Sequence, residues 1–314
     1  MSELVVIALG GNAIQQQGQT GTYEEQRDSV ELTCIQVVKL IKAGKKVIIT
    51  HGNGPQVGNI LKQQELAKKD VPPMVLDVCG AFSQGFIGYM LQQAMRNILL
   101  KEGIPYEVAT LVTQVRVSPQ DPAFVTPTKP IGTFKDYEYA KKAMEEKGET
   151  WVEDSGRGWR RVVPSPEPIE IVERNIIKGI VEKGTILIAS GGGGIPVVRN
   201  EKGMLEGIEA VIDKDLAGER LAADLDADLF IILTDVSRVS LHYNTPQQTD
   251  LARITVDEAE KYFSQGHFKP GSMGPKVMAG IRFAKSMKKP AIITSLKDVG
   301  QAVQGEAGTW IVPN

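Results

Sequence analysis

Six short apolar runs recur along the chain, separated by stretches of mixed polarity. They lie at residues 4–9, 46–50, 107–113, 185–190, 228–234 and 291–294. Continuous apolar runs of this length are typical of strands that are buried on both faces, as in a parallel sheet. The stretches between them carry helical patterns, so strand and helix alternate. This order predicts an α/β fold, with an open, mainly parallel, doubly wound sheet and helices on both faces.

The first stretch between two runs carries the end signals of a helix. Thr22 and Glu25 have the spacing of a capping box, and Gly44 provides a stop signal. Apolar residues recur between these ends at helical spacing. They are Val30, Cys34, Val37, Val38 and Ile41. We therefore predict an amphipathic helix that packs this stripe against the sheet.

One segment, at about residues 116–168, interrupts the alternation. It contains prolines at positions 119, 122, 127, 130, 164, 166 and 168. So much proline argues against a central strand or a long helix, although residues 136–147 could form one short helix. We interpret the segment as a small protruding lid subdomain within a single domain. The lid would belong to an N-terminal lobe of about residues 1–184, followed by a C-terminal nucleotide-binding lobe of about residues 185–314.

Composition mainly excludes classes of partner. Among 314 residues the formal net charge is −2, which provides no global basic field for nucleic acid. Cys34 and Cys79 are the only cysteines; they are too few for a zinc cluster and suit core positions in a reducing compartment. The N-terminal apolar run follows no basic segment and is too short to span a bilayer. We expect a cytoplasmic protein that binds neither nucleic acid nor membranes.

Three glycine-rich turns each follow an apolar run and would lie at the carboxyl end of a strand. They comprise Gly10, Gly11 and Asn12; Gly52, Asn53 and Gly54; and a run that begins with Gly191 and Gly192. Glycine lets backbone N–H groups approach an anion, and a following helix presents its positive end. One such turn alone is common in any sheet protein, but three in register predict a surface that binds phosphate and substrate. The fingerprints of P-loop and typical dinucleotide-binding enzymes are missing from the sequence.

Two lysines stand at apparent helix starts, where ammonium groups oppose the helix dipole. Lys214 lies between Asp213 and Asp215, and Lys276 follows Pro275. A solvated lysine tolerates this position, with an aspartate merely capping the helix. A bound phosphate would turn the cost into a gain, because lysine and dipole would both attract it. We interpret Lys214 and Lys276 as contacts of a transferring phosphoryl group, with Asp215 orienting them.

Lys129 and the histidines together indicate a reaction that needs no general base. Lys129 precedes Pro130 in a proline-rich segment that limits backbone freedom, and it suits a side chain that enters the site when a lid closes. The histidines have no partner at the spacing of a metal site or triad, and His51 is best read as a core or turn residue. Phosphoryl transfer to an anionic acceptor needs only alignment and charge neutralisation, with Mg²⁺ carried on the nucleotide rather than by a protein metal site.

Seven blocks of the sequence, in this order, resemble the carbamate kinases of the amino acid kinase superfamily. They are VIALGGNA at 6–13, HGNGPQVG at 51–58, PTKP at 127–130, GRGWR at 156–160, SGGGGIP at 190–196, VIDKD at 211–215 and HFKPGSMGPK at 267–276. The resemblance runs from end to end. It implies reversible transfer between carbamoyl phosphate plus ADP and carbamate (ammonia plus bicarbonate) plus ATP, with Mg²⁺. It also implies a homodimer that acts in arginine fermentation through the arginine deiminase pathway.

The resemblance also implies roles for individual residues. The catalytic lysines of the family fall on Lys214 and Lys276, the organising aspartate on Asp215 and the lid lysine on Lys129. Nucleotide contacts fall on a separate set near the C-terminal half. These are Thr234, Asp235, Tyr243, Met273, Gly274 and Pro275.

Two other functions stay open from the sequence. One is a different amino acid kinase, such as acetylglutamate kinase; many of these carry a lysine two residues before the first glycine pair, where this chain has Ala8. The other is a catalytically silent nucleotide sensor, which would need no charge at a transition state and hence not all of Lys129, Lys214, Asp215 and Lys276.

Overall fold

The computed structural model describes residues 2–16, 18–154 and 156–314. In these ranges the α-helices are α1 (Tyr23–Lys42), α2 (Gly54–Ala67), α3 (Leu76–Lys101), α4 (Tyr137–Lys147), α5 (Arg174–Glu182), α6 (Lys214–Asp224), α7 (Val256–Ser264), α8 (Met273–Met287) and α9 (Val299–Ala302). The strands are β1 (Leu4–Leu9), β2 (Lys46–His51), β3 (Val108–Thr110), β4 (Gln114–Arg116), β5 (Lys129–Lys135), β6 (Thr150–Glu153), β7 (Trp159–Val163), β8 (Glu170–Ile171), β9 (Ile186–Ile188), β10 (Ile195–Arg199), β11 (Leu205–Gly207), β12 (Leu229–Thr234), β13 (Val239–Leu241), β14 (Thr249–Leu251), β15 (Arg253–Thr255), β16 (Ala291–Ser295) and β17 (Thr309–Val312). Short 3-10 helices cover Gly11–Ala13, Pro122–Phe124 and Gly191–Gly193.

The main sheet has the order β15-β17-β16-β12-β1-β2-β9-β3. Its neighbouring strands are parallel except for β16 and β17. The six apolar runs of the sequence form the six contiguous strands from β16 to β3, which confirms the predicted fold class. The edge strand β15 and its neighbour β17 were not predicted; both are short, and only the middle of β15 is buried.

The main sheet separates two apolar layers. Alternate residues of β1 point into different layers, so that Ile7 packs with α1 and α3 while Val6 packs with α6 and α8. This explains why the strand is apolar at every position. The predicted capping box of α1 is present at Thr22 and Glu25. No helix in the described ranges has both the length and the apolar character needed to cross a bilayer.

Both cysteines are buried, as the sequence predicts. Cys34 lies in the layer between α1 and α3, where its thiol contacts the carbonyl oxygen of Leu91 at 3.7 Å. Burial raises the pKa of the Cys34 thiol to about 12. Cys79 lies in a separate, smaller apolar cluster together with Val57 and Ile131. The two thiols therefore occupy different parts of the molecule.

Residues 129–154 and 156–163 form a separate unit, which we call the small-sheet subdomain. It consists of an antiparallel sheet with the order β5-β7-β6 and of helix α4, the short helix predicted in this segment. Pro130 lies in β5, which is an edge strand, the position in a sheet that tolerates a missing N–H donor. Its core is small and consists of Ala140, Ala143 and Trp151. That this unit moves as a lid, and that the chain divides into two lobes, stay predictions.

The glycine turns differ from the prediction in the type of helix that each one leads into. Only the turn at Gly52 leads directly into an α-helix, since α2 begins at Gly54. The first turn and the Gly191 turn lead into 3-10 helices. Gly192 and Gly193 have φ angles of 68° and 91°, which a right-handed helix cannot continue through. The expectation of a helix dipole behind every turn was therefore wrong for two of the three.

Candidate active site

The three glycine turns meet at one edge of the main sheet because β1, β2 and β9 are neighbours. The Gly52 amide donates to the Leu9 carbonyl at 3.2 Å, and the Thr50 hydroxyl donates to the Ser190 carbonyl at 2.9 Å. β12 lies on the other side of β1 and ends at the predicted nucleotide residue Thr234. The carboxyl ends of four adjacent strands thus contribute to one surface, the usual ligand position in an open α/β sheet.

Side chains tie the first two glycine turns to neighbouring elements, the segment after β12 and helix α3. The Asn12 amide donates to the Asp235 carboxylate at 2.6 Å, and the Asn53 amide donates to the Ser83 hydroxyl at 2.8 Å. Gly192 lies so close to Asn53 that a Cβ atom there would overlap the amide. Its positive φ also favours glycine, so this position is constrained both by backbone conformation and by space.

Lys214 and Lys276 converge on one carboxylate. Lys214 is the first residue of α6, and Lys276 lies in the first turn of α8. Their ammonium groups contact the two carboxylate oxygens of Asp215 at 2.5 and 3.2 Å. Asp215 is only 2% exposed, and a buried carboxylate of this kind requires such cationic partners. The arrangement holds the two ammonium groups on one side of the sheet.

Lys214 also connects this pair to the glycine turns. A Cβ atom at Gly52 would lie 2.9 Å from Cδ of Lys214, so the lysine side chain crosses the turn at van der Waals distance. Glycine at this position leaves the space that the lysine occupies. The second turn and the two lysines therefore belong to the same site.

A third lysine reaches the site from the small-sheet subdomain. The Lys129 ammonium donates to the Asp213 carboxylate at 2.9 Å, and the other Asp213 oxygen accepts the backbone N–H of Asp215 at 2.9 Å. Burial alone would raise the pKa of Asp213, but Lys129, Lys214 and the backbone N–H of Asp215 together outweigh it, and the pKa lies below its ordinary value. Three ammonium groups face two carboxylates here, so the cluster retains a net positive charge that suits an anion.

The predicted nucleotide residues are less tightly grouped. Met273, Gly274 and Pro275 form the first turn of α8 immediately before Lys276. Tyr243 follows β13, and its side chain is 55% exposed. In the described part of the chain no hydrogen bond ties the Tyr243 side chain to the lysines. Its neighbour His242 contacts the ring of His267 edge-on at 4.7 Å, which links this loop to the segment before α8.

His51 is a core histidine, as the sequence analysis favours. It is 1% exposed, and its Nδ1 lies 2.9 Å from the Gly52 carbonyl oxygen, to which it donates. Burial lowers the pKa of His51 to about 4, so the ring is neutral near pH 7. Its ring lies against Gly191 and so fills the space between the second and third turns. It supplies packing there rather than positive charge.

Sequence reasoning missed Asp213 as the partner of Lys129, and it missed Gln84. The Gln84 amide donates to the carbonyl oxygens of Gly191 at 3.0 Å and Thr113 at 3.1 Å, which fixes the third turn. Gln84 is 2% exposed within the largely apolar helix α3. The available signal was a single amide side chain on the buried face of α3, because a buried amide needs hydrogen-bond partners.

The site offers little for a protein-bound metal ion. Within the described ranges, no three His, Cys, Asp or Glu side chains come together in a group that could hold one. The carboxylates of Asp213 and Asp215 are occupied by ammonium groups. The chemistry that this site can perform is the neutralisation and alignment of anionic groups.

Comparison with known proteins gives matches over the whole chain. The model of the Amino acid kinase family matches residues 3–295. Carbamate kinase from Pyrococcus horikoshii is 54% identical over 100% of both chains, and that of Clostridium perfringens is 51% identical over 98% of this chain and 99% of its own. The solved structure of Giardia lamblia carbamate kinase bound to AMP-PNP is 46% identical, with a TM-score of 0.95, and covers 100% of this chain and 99% of its own.

Proposed function

Because the chain belongs to the amino acid kinase family and, within it, to the carbamate kinases, we propose that it catalyses phosphoryl transfer between carbamoyl phosphate and ADP. The products are ATP and carbamate, which is in equilibrium with ammonia and bicarbonate. The observation that carries the proposal is the pair of lysines on one buried carboxylate beside the glycine turns. Sequence identities of 54% and 51% to carbamate kinases, over nearly the whole chain, support the choice of substrate.

In this proposal Lys214 and Lys276 contact the moving phosphoryl group. Its oxygens carry the charge that two converging ammonium groups neutralise, and preorganised charge of this kind lowers the barrier. Asp215 orients both lysines, since each of its oxygens contacts one of them. Lys129 adds a third ammonium from the small-sheet subdomain and is itself oriented by Asp213.

The glycine turns hold the acceptor side. The turn residues Gly10, Gly11, Asn12, Gly52, Asn53, Gly54, Gly191 and Gly192 would direct backbone N–H groups and amides at the acceptor and the phosphate. When ATP is the donor, carbamate is already an anion and attacks the γ-phosphorus without losing a proton; when ATP is formed, carbamate leaves as the same anion. No general base is therefore required in either direction. The neutral, buried His51 is consistent with this, because no step needs it to accept a proton.

Thr234, Asp235, Tyr243 and the first turn of α8 would bind the nucleotide at the adjoining strand ends. When bound with the nucleotide, Mg²⁺ supplies further neutralisation of the β- and γ-phosphates. The carboxylates of Asp213 and Asp215 are already paired with ammonium groups, which fits a metal ion that is held mainly by nucleotide oxygens. We further propose that the enzyme works in the cytoplasm, in arginine fermentation through the deiminase pathway, where ATP formation would be its contribution.

We also propose a homodimer. Three side chains on one stripe of α3, Phe82, Phe86 and Tyr89, are 46, 37 and 57% exposed. Leu32 and Ile35 of the adjoining helix α1 are also exposed and apolar. An apolar stripe of this kind is typical of a surface that pairs with its own copy. Sedimentation equilibrium of the protein tests this and should give twice the mass of the 34.2 kDa chain.

Formation of ATP from carbamoyl phosphate and ADP, with Mg²⁺, tests the proposed reaction. N-acetylglutamate with ATP serves as the alternative substrate pair. We expect turnover with carbamoyl phosphate and not with acetylglutamate. Turnover of acetylglutamate alone would identify another amino acid kinase, and binding of ADP without turnover of either pair would identify a nucleotide sensor.

A further inference from the structure

We propose that Glu65 is a positioning residue that clasps the small-sheet subdomain over the active site and so controls the delivery of Lys129. The inference rests on the proposed function, because Lys129 acts on the substrate of that reaction. Glu65 lies near the end of α2, the helix that begins at the second glycine turn. One helix thus carries a phosphate-binding turn at its start and the clasp near its end.

The clasp consists of one carboxylate and two donors from α4. The Tyr139 hydroxyl lies 3.1 Å from both oxygens of Glu65, and the Lys147 ammonium donates to one of them at 2.6 Å. The two donors are eight residues apart, so Glu65 engages α4 near both of its ends. A single side chain of the main body therefore anchors the helix of the subdomain.

The second contact between the two units lies closer to Lys129. Val57 of α2 packs with Ile131 and Val163 of the small sheet in one buried cluster. Gly58 approaches the backbone of Gly132 so closely that a Cβ atom there would lie 3.2 Å from it. Val57 and Glu65 are separated by about 12 Å along α2 at 1.5 Å per residue. The joint thus has an apolar pivot near Lys129 and a charged clasp at a distance from it.

The charges at the joint satisfy one another. The hydrogen bond from Lys147 lowers the pKa of Glu65, and the hydrogen bond to Glu65 raises the pKa of Lys147, so both groups are charged near pH 7. In the adjoining cleft Arg161 contacts Glu149 at 3.5 Å and Glu209 at 3.7 Å. Because Arg161 contacts one carboxylate of each unit, we interpret the cleft as a joint between two units rather than as a ligand site.

Breaking the clasp should weaken substrate binding more than the chemical step. Lys129 meets Asp213 only while the subdomain is closed on α6, and the clasp favours that state. Loss of the clasp lowers the closed fraction, and the apparent affinity falls by the same factor. At saturation the substrate itself holds the subdomain closed through Lys129. We therefore expect KM to rise while kcat changes little.

A double-mutant cycle with Lys129 tests the proposal. Glu65→Ala should raise KM for carbamoyl phosphate about fivefold, the size expected when a partly exposed ion pair is lost, with kcat within about twofold of the parent. In a Lys129→Ala background the same substitution should change nothing further. Lys147→Ala should reproduce the effect from the other side of the joint. Glu102→Ala, which removes a comparable ion pair with Lys42 far from the subdomain, is the matched control.

Hydrogen exchange provides a readout that does not depend on activity. Glu65→Ala should speed exchange of the α4 amides and leave those of α1 unchanged. A parent enzyme that does not use carbamoyl phosphate, together with faster α4 exchange, would overturn the proposed function and leave the clasp intact. An active parent with unaltered KM in Glu65→Ala, or with an equal effect in the Lys129→Ala background, would overturn the clasp.

Discussion

The main sheet and the small-sheet subdomain contribute to the same site but are built differently. Ile231 at the centre of the main sheet is fully buried, and apolar layers cover both of its faces. The subdomain buries only a few side chains, chiefly around Trp151, and joins the body through one apolar cluster and a few polar contacts, among them the Glu65 clasp. Lys214 and Lys276 belong to the first region and Lys129 to the second. We therefore propose a fixed pair of lysines and a third whose position depends on how the small-sheet subdomain docks.

Core truncations in the two regions would test this difference most strongly. Phe230 is fully buried and packs on Phe283 with ring centroids 5.7 Å apart. We expect Phe230→Ala to reduce the free energy of unfolding by about 4 kcal/mol, because a large cavity replaces the ring. Trp151→Ala should instead open the subdomain locally and lower the global value by about 1 kcal/mol or less. Urea unfolding followed by circular dichroism measures both; equal losses would indicate a single cooperative unit.

Substitution of the lysines should show the same difference between the two regions, in kcat for the main body and in KM for the small-sheet subdomain. Lys214→Ala or Lys276→Ala should lower kcat about a hundredfold or more with modest effect on folding, as expected when preorganised charge at a transition state is removed. Lys129→Ala should act mainly through a rise of about tenfold in KM, since one charge-assisted hydrogen bond to substrate is lost. Steady-state kinetics of ATP formation separate the two parameters. Lys285→Ala, an exposed lysine of α8 paired with Glu260, is the control.

The free energy of unfolding should also depend on pH through His51 of the main sheet, and this effect should be smaller than that of the core truncation. Burial lowers the pKa of His51 from 6.5 to about 4, so the unfolded chain binds this proton more readily than the folded one. The stabilisation is complete above the unfolded pKa and is lost as pH falls from about 6.5 towards 4. The loss between pH 7 and pH 5 amounts to about 2 kcal/mol at 1.36 kcal/mol per pKa unit.

The His51 effect must be measured against a neutral replacement at each pH. Burial raises the pKa of Glu219 to about 7, so this carboxyl destabilises the fold as pH rises from 4.5, which opposes the effect of His51. The difference in unfolding free energy between the parent and His51→Gln removes the contribution of Glu219, because both proteins contain it. A difference that does not change between pH 7 and pH 5 would contradict the assignment.

The fold was predictable where a strand is buried on both faces, because each such strand carries a run of mainly apolar residues. Strands β15 and β17 were not predicted because each is short and only partly buried; β15 is an edge strand, and β17 lies between it and β16. The 3-10 helices at the first and third glycine turns were also not predicted; the third depends on positive φ angles at Gly192 and Gly193, whereas the first contains no positive φ angle. Local patterns do not specify these conformations.

The site was predictable as a set of residue types, and the roles of those residues stay predictions. Lysine at a helix start is visible in the sequence, as for Lys214 and Lys276. The contact of Lys129 with Asp213, 84 residues apart, is not, and neither is that of Glu65 with Tyr139. Such pairings depend on how two units dock, and nothing in the local sequence of either residue encodes the docking.

The two buried cysteines give the molecule a built-in pair of chemical probes. A thiol reagent reacts with the thiolate, so Cys34, with a pKa of about 12, should be alkylated only when the layer between α1 and α3 opens. Cys79 belongs to the apolar cluster at the joint with the small-sheet subdomain, so its labelling rate should follow the separation of the two units. The labelling rate of Cys34 would thus report the opening of the main body, and the labelling rate of Cys79 would report the opening of the joint.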